Sequence, residues 1–229
     1  MIHDSGGAHL GSCLSVADIL AVLYADVLQP EDKVIFSKGH AAAAFYSVLA
    51  RTGRLDPDLL RTYGKPGSKL TGCVNHEVPG VLLSTGSLGH GLPVACGMAL
   101  ADRKHRVFCI MSDGEMDCGT TWEAARFAAI NHLTNVAAII DANGWQACKR
   151  ANEVGPWLLG WGHADADHDH HTLRAAMKSP LRGPLVHVCR NVKGRGVSFM
   201  EDDNLWHYRC PDKDEYIRAM RELECAEPS

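Results

Sequence analysis

Asp113 and Asn143 stand where chemistry is expected, each following an apolar run that ends in a polar, glycine-containing turn. Asp113 follows Arg106-Val107-Phe108-Cys109-Ile110-Met111, within Met111-Ser112-Asp113-Gly114-Glu115. Asn143 follows Val136 to Ile140, within Asp141-Ala142-Asn143-Gly144-Trp145. A lone Asp-Gly is ordinarily a turn. Two such residues at the carboxyl ends of two strands carry more weight. About thirty residues separate them, room for one crossover helix that returns the chain alongside itself. A carboxylate and an amide oxygen then come within reach of one ion. Magnesium takes hard oxygen ligands in an octahedron and usually shares them with phosphates. Asp113, the Asn143 side chain and a backbone carbonyl near Trp145 would supply three protein oxygens. A diphosphate and water would complete the shell. Gly114 lets backbone N–H groups approach an anionic oxygen with no Cβ in the way.

The elements that must hold these residues alternate between strand and helix. Val34-Ile35-Phe36, Arg106 to Met111, Val136 to Ile140 and Pro184 to Cys189 read as strands. Ser15 to Leu28 carries Val16, Ile19, Leu20, Leu23 and Val27 in a helical stripe, with Ser15 as N-cap. Helices are also expected from His40 to Arg51, Gly91 to Asp102, Thr120 to His132 and Asp214 to Leu223. Gly64 to Gly80 and the run His163 to His171 read as loops, the second solvated and able to bind metal only adventitiously. Apolar strands alternating with helices imply an α/β fold, a parallel sheet flanked by helices on both faces with right-handed crossovers. No repeat or linker divides the chain, so residues 1–229 are expected to form one domain.

Composition narrows the classes. The formal net charge of −4 argues against a nucleic-acid partner, which needs clustered positive charge. Apolar stretches fall short of the ~20 residues of a membrane span. Met1-Ile2-His3-Asp4-Ser5 has no signal-like character, so export is not expected. Nine cysteines are scattered singly with no CxxC pair, which favours reduced thiols and a cytoplasmic protein over disulfides or zinc. Cys96, Cys109 and Cys189 sit in apolar segments, as small hydrophobes.

Further motifs follow in order. His9-Leu10-Gly11-Ser12-Cys13-Leu14-Ser15, Ser37-Lys38-Gly39-His40 and Ser84-Thr85-Gly86-Ser87-Leu88-Gly89-His90-Gly91 precede the Asp113 and Asn143 segments. Val192-Lys193-Gly194-Arg195-Gly196-Val197-Ser198-Phe199-Met200 and Trp206-His207 come after them. Taken alone, the glycines at 86, 89 and 91 make a turn before a helix, and their spacing reverses that of a Rossmann fingerprint. Together with Asp-Gly-Glu and the later Asn, the set resembles the N-terminal, diphosphate-binding part of the transketolase family over nearly the whole chain. The resemblance implies thiamine diphosphate as cofactor. Asp113, Asn143 and the Trp145 carbonyl would hold magnesium, or calcium or manganese. His40, Gly86, Ser87, Leu88, Gly114 and Glu115 would join the two side-chain ligands in binding the cofactor. His9, His40 and His207 would surround the reactive carbon and the substrate's hydroxyls, tasks that suit neutral imidazoles. His105, His132 and His187 lie outside the motifs and read as satisfied core or surface residues. Glu123 has two readings. In Thr120-Thr121-Trp122-Glu123 it would close a capping box; by resemblance it would join a carboxylate network between subunits, with a catalytic role.

In transketolases the glutamate that faces the aminopyrimidine lies in a following domain, so the resemblance implies a partner. That partner would be a C-terminal, pyrimidine-binding subunit supplying the catalytic glutamate, with two copies of each chain. The function implied is transfer of a ketol or acyl unit from a ketose or 2-keto acid to an aldehyde-type acceptor. Cys118 stands where the family places a glutamate, Cys73 where it places a substrate-facing histidine, and Tyr208 where it has glycine. His76 stands close enough in sequence to compensate for Cys73. These departures gather around the substrate, which points to a specialised pathway. A decarboxylating keto-acid alpha subunit is opposed by the Ser-Lys-Gly-His and Ser-Leu-Gly-His-Gly segments. A non-catalytic scaffold is opposed by intact Asp113, Gly114 and Asn143.

Overall fold

In the computed structural model, which describes residues 1–152, 160–179 and 183–225, five strands pair into one parallel sheet. In chain order the elements are α1 (Ile2–Ser5), α2 (Leu10–Ser15), α3 (Ala17–Val22), β1 (Lys33–Phe36), α4 (Ala42–Arg51), α5 (Gly91–Ala101), β2 (Val107–Ser112), α6 (Gly119–Ile130), β3 (Val136–Ala142), β4 (Gly162–Ala166), α7 (His170–Met177), β5 (Leu185–Arg190) and α8 (Lys213–Cys225). The sheet order is β1-β2-β3-β5-β4 and every pairing is parallel.

Alternate residues of each strand feed opposite faces, which is why the strands read as continuous apolar runs. Val34, Phe36, Phe108, Ile110 and Ile139 pack against α3, α4 and α7, while Ile35, Cys109, Met111, Ile140 and Val188 pack against α5 and α6. A smaller cluster of Val197, Met200, Trp206 and Ala219 fixes α8 and the segment that carries His207. The expected α/β sheet with helices on both faces is what the chain adopts.

Three local expectations are corrected. The first helix does not begin at Ser15: α2 starts at Leu10, breaks at Val16, and α3 runs on into a π-helical turn at Leu23–Val27. Ser15 is the buried end of α2, its hydroxyl given to Asp141 rather than to a helix start. Gly162–Ala166 and His170–Met177 form β4 and α7, so the His163 to His171 run is not a loop. Period-two alternation of small and polar residues there is an edge-strand signal that a buried-strand search overlooks. Asp18 accepts from His168 Nδ1 at 2.7 Å and contacts His170 Nε2 at 3.1 Å, and among the described residues no cluster of His, Cys, Asp or Glu is arranged to hold a metal. The Thr120–Glu123 capping box does not form either. Cys118 is the N-cap of α6 with no side-chain cap bond, and the capping box sits one turn earlier, between Ser112 and Glu115.

His187 is buried but not satisfied. It faces the core from the middle of β5 with neither ring nitrogen hydrogen-bonded, and burial pushes its imidazole down to about 4. The unfolded state binds this proton from about pH 6.5 downward, whereas the folded state refuses it until about pH 4. Its contribution is therefore fully present above pH 6.5 and is lost as pH falls. Urea midpoints should show His187→Leu losing up to about 3 kcal/mol less than the wild type between pH 6.5 and pH 4. Parallel pH curves for the two proteins would refute this.

Candidate functional site

The register Ser112↔Asp141 sets the tips of β2 and β3 side by side. Asp113 opens a 3-10 turn over Asp113–Asp117, and its carboxylate accepts from Gly114 N at 2.9 Å and from Gly144 N at 2.8 Å. The second bond reaches across to the residue after Asn143, so both polar residues share one tip. Asn143 Oδ1 accepts from Trp145 N at 3.1 Å. Asp113 and Asn143 are only 3% and 6% exposed. Burial, with Asp141 nearby, pushes the Asp113 carboxyl up to about 6 against the pull of Lys38.

Beneath this tip lies a buried polar layer. Asp141, near the end of β3, is wholly buried and ion-paired to Lys38 Nζ, which is equally buried. Lys38 also donates to Ser12 O at 3.1 Å and Ser15 Oγ at 3.5 Å. Asn191 Nδ2 donates to Asp141 Oδ1 at 2.8 Å and to Ser15 O at 3.0 Å. Asn143 Nδ2 donates to Ser15 Oγ at 3.0 Å. Sequence reasoning gave Asp141 and Ser15 no role at the site. The signal was a charged residue inside an otherwise apolar strand, which needs a partner, but that partner is far away in sequence.

The loop bearing Gly86, Ser87 and Leu88 locks onto the Ser37-Lys38-Gly39-His40 turn. A Cβ on Gly39 would lie 2.5 Å from Thr85 O, and one on Gly91 would lie 2.3 Å from Ser37 Cβ, so both positions require glycine. Thr85 Oγ1 donates to Phe36 O at 2.7 Å and Gly91 N to Ser37 Oγ at 3.1 Å. Glu115 is the buried pivot. Its carboxylate accepts from Ser37 Oγ, from Gly89 N at 3.0 Å and from Ser112 N at 2.9 Å. That carboxylate is consumed inside the protein, where it ties the two loops together. Gly86, Ser87 and Leu88 are exposed.

Three histidines from distant segments meet in one cluster. His9 enters α2 with φ 69°, and its ring lies 5.2 Å from that of His40 and 4.8 Å from that of His207, centre to centre. His40 and His207 are 5.9 Å apart. Burial, then neighbouring lysines, lowers all three: His40 well below its usual value and His207 to about 3. They are neutral near pH 7. Lys193 Nζ donates to His207 Nδ1 at 2.9 Å, which leaves the His207 proton on Nε2. Tyr208 stands beside them, 61% exposed, its ring 4.6 Å from His207.

Cys118 packs on Gly89 and Cys73 on Gly86. His76 is tied to Ser84 Oγ at 2.8 Å. Trp145 is held by its indole N–H to Asp202 at 2.8 Å, with the Arg150 guanidinium 3.7 Å above the ring and also bound to Asp202. Glu123 is separate from all of these. It is exposed on the outer face of α6, where Trp122, Phe127 and Ile130 are also exposed.

Residues 1–150 match the family model described as "Transketolase, thiamine diphosphate binding domain". The chain is 37% identical to one subunit of the apulose-4-phosphate transketolase of Actinobacillus succinogenes, over 97% of this chain and 90% of that protein. It is 32% identical to the 6-deoxy-6-sulfo-D-fructose transketolase subunit SqwG of Clostridium sp. (strain MSTE9), over 96% of this chain and 89% of that one. Its fold superposes on transketolase from Campylobacter jejuni with a TM-score of 0.90 at 24% identity, covering 98% of this chain and 40% of the solved one. The chain therefore spans about two fifths of the length of that solved enzyme.

Proposed function

Since the chain belongs to the transketolase family, through its thiamine diphosphate binding domain, we propose that it is the diphosphate- and metal-binding subunit of a two-chain transketolase. The reaction is transfer of a ketol or acyl unit from a ketose or 2-keto acid donor to an aldehyde-type acceptor. The observation that carries this is the Asp113 carboxylate bonded across to the Asn143-Gly144 turn.

The residues fit the cofactor and its ion. Two hard oxygens stand on adjacent strand tips, and the donor set suits magnesium, with calcium or manganese as substitutes. A Cβ on Gly114 would meet nothing nearer than Gln146 Cγ at 3.4 Å, so its bare backbone leaves room for a diphosphate oxygen. His9 Nδ1 is buried without a partner in the histidine cluster. Asp113, Asn143 and the Trp145 carbonyl hold the ion; Gly114 meets the diphosphate; Gly86, Ser87 and Leu88 line the rings with His40. Thiamine diphosphate, when bound, supplies the carbanion-stabilising chemistry of carbon–carbon bond transfer. His9, His40 and His207 are neutral, so they donate to or accept from a carbonyl or hydroxyl without introducing charge. The His207 Nε2–H is the proton best placed to be given.

A second chain completes the enzyme. We assign it the pyrimidine-binding domain and the catalytic glutamate, in a cytoplasmic assembly with two copies of each chain. Support comes from the relatives named as single subunits of larger transketolases and from the exposed apolar face of α6, with Glu123 at its centre. Among the described residues no helix is long and apolar enough to cross a membrane. Cys73 and Cys118 pack on the glycines of the 86–89 loop and Tyr208 lies beside His207, departures that favour a substrate other than the ordinary pentose phosphate pair.

The test is calorimetric titration of thiamine diphosphate with Mg²⁺ onto the co-expressed pair, followed by assays with xylulose 5-phosphate and ribose 5-phosphate. Saturable binding with weak pentose phosphate turnover is expected. No binding would refute the cofactor role, and ordinary transketolase turnover would refute the altered substrate.

A further inference from the structure

The buried layer under the strand tips does more than fill space, because its hydrogen bonds run in one direction. Lys38 pairs with Asp141 and so keeps an acceptor-only carboxylate inside the protein. The Ser15 hydroxyl has a single proton and gives it to that carboxylate. Only lone pairs of Ser15 then remain to face Asn143, and Asn143 answers with its amide nitrogen, at 3.0 Å from Ser15 Oγ and 3.4 Å from Asp141 Oδ2. The opposite amide orientation would set Oδ1 against a carboxylate and an oxygen lone pair. Asn143 Oδ1 is thereby directed away from the layer, onto the Trp145 side of the tip.

From this one-way chain we infer that Ser15 and Asp141 are positioning residues for the metal site, fixing the amide of Asn143 so that its oxygen, not its nitrogen, meets the divalent cation. The inference rests on the metal role proposed above. It also gives one helix two ends with separate tasks: His9 at the start of α2 joins the histidine cluster, and Ser15 at its end sets the orientation of a metal ligand. The same layer explains why the position favours asparagine over aspartate. A carboxylate at 143 would turn one oxygen toward Asp141, where an amide N–H is required.

The test uses the assembled two-chain enzyme with saturating thiamine diphosphate and Mn²⁺ as the probe, bound ion being read by electron paramagnetic resonance rather than by activity. Ser15→Ala is expected to weaken Mn²⁺ by roughly 10–100-fold, the range for loss of an outer-shell partner. Asn143→Asp should weaken it as well, although a count of hard, charged ligands alone predicts tighter binding. Melting of the Ser15→Ala chain in excess chelator should fall by no more than a lost buried hydrogen bond costs, with the chain still folded at the assay temperature. Wild-type affinity in Ser15→Ala, or tighter binding in Asn143→Asp, would each overturn the inference. A wild-type pair that binds no Mn²⁺ at all would instead bring down the metal site itself.

Discussion

Asp113→Ala is expected to weaken divalent-cation and thiamine diphosphate binding together, by more than about 100-fold. Loss of an outer-shell partner alone brings 10–100-fold, and Asp113 is the only carboxylate offered at the tip as a direct ligand. The two ligands should fall together because, in the proposed site, the cation would be shared between protein and diphosphate, so each would bind weakly without the other. Folding should respond very differently. Asp113 is a buried carboxylate whose acidity is already suppressed by burial and by Asp141, so the unliganded protein gains little from keeping it charged. Alanine removes that burial penalty but leaves Gly114 N and Gly144 N without their acceptor. These opposing effects are each about 1–2 kcal/mol, so the melting temperature in chelator should move little. Calorimetry and chelated melts on one preparation check both halves. Undiminished cofactor binding by Asp113→Ala would remove the central ligand from the site.

Much of this arrangement was legible in the sequence, for physical reasons that also mark where legibility ends. The strands β1, β2, β3 and β5 are buried on both faces, so their apolar runs announce themselves. β4 lies at the sheet edge and is half-exposed, with small and polar residues that read as loop. Asp113 and Asn143 could be placed because strand ends in a parallel sheet share one rim. The glycines of the Ser-Lys-Gly-His and Ser-Leu-Gly-His-Gly segments carry a packing reason visible only in three dimensions: Gly39 and Gly91 are where the two loops touch. Glu115 is placed at the cofactor by resemblance alone; a carboxylate three residues past a serine is also half of a capping box, and that use the fold shows directly. At Thr120 the same pattern failed, since Thr120 Oγ1 is spent on Gly89 O at 2.9 Å. The Lys38–Asp141 pair was out of reach. Nothing local couples a residue in the turn after β1 to one in β3, and only folding shows that both are sealed from water.

That pair carries the largest expected effect on stability. Lys38→Met keeps the length and apolar stem of the side chain while removing the only ammonium in contact with Asp141. All three ammonium donors are in use, on Asp141, Ser12 O and Ser15 Oγ, and a planar guanidinium could not reproduce that fan. Asp141 would remain at zero exposure with only neutral donors from Ser15, Asn143 and Asn191. Stranding one member of a buried ion pair typically costs about 3–5 kcal/mol, a large share of the 5–15 kcal/mol that holds most domains folded. Urea unfolding in chelator should therefore show a loss of that size in Lys38→Met. The double variant Lys38→Met, Asp141→Asn should recover most of it, because the uncompensated charge and not the lost contact is the main penalty. A single variant within about 1 kcal/mol of the wild type, or a double variant no better than the single, would show that the pair is not the electrostatic keystone its burial implies. Recovery of stability without recovery of Mn²⁺ affinity would in turn separate holding the fold from aiming Asn143. A neutral amide at 141 can satisfy the space, but it no longer compels the Ser15 hydroxyl to point one way.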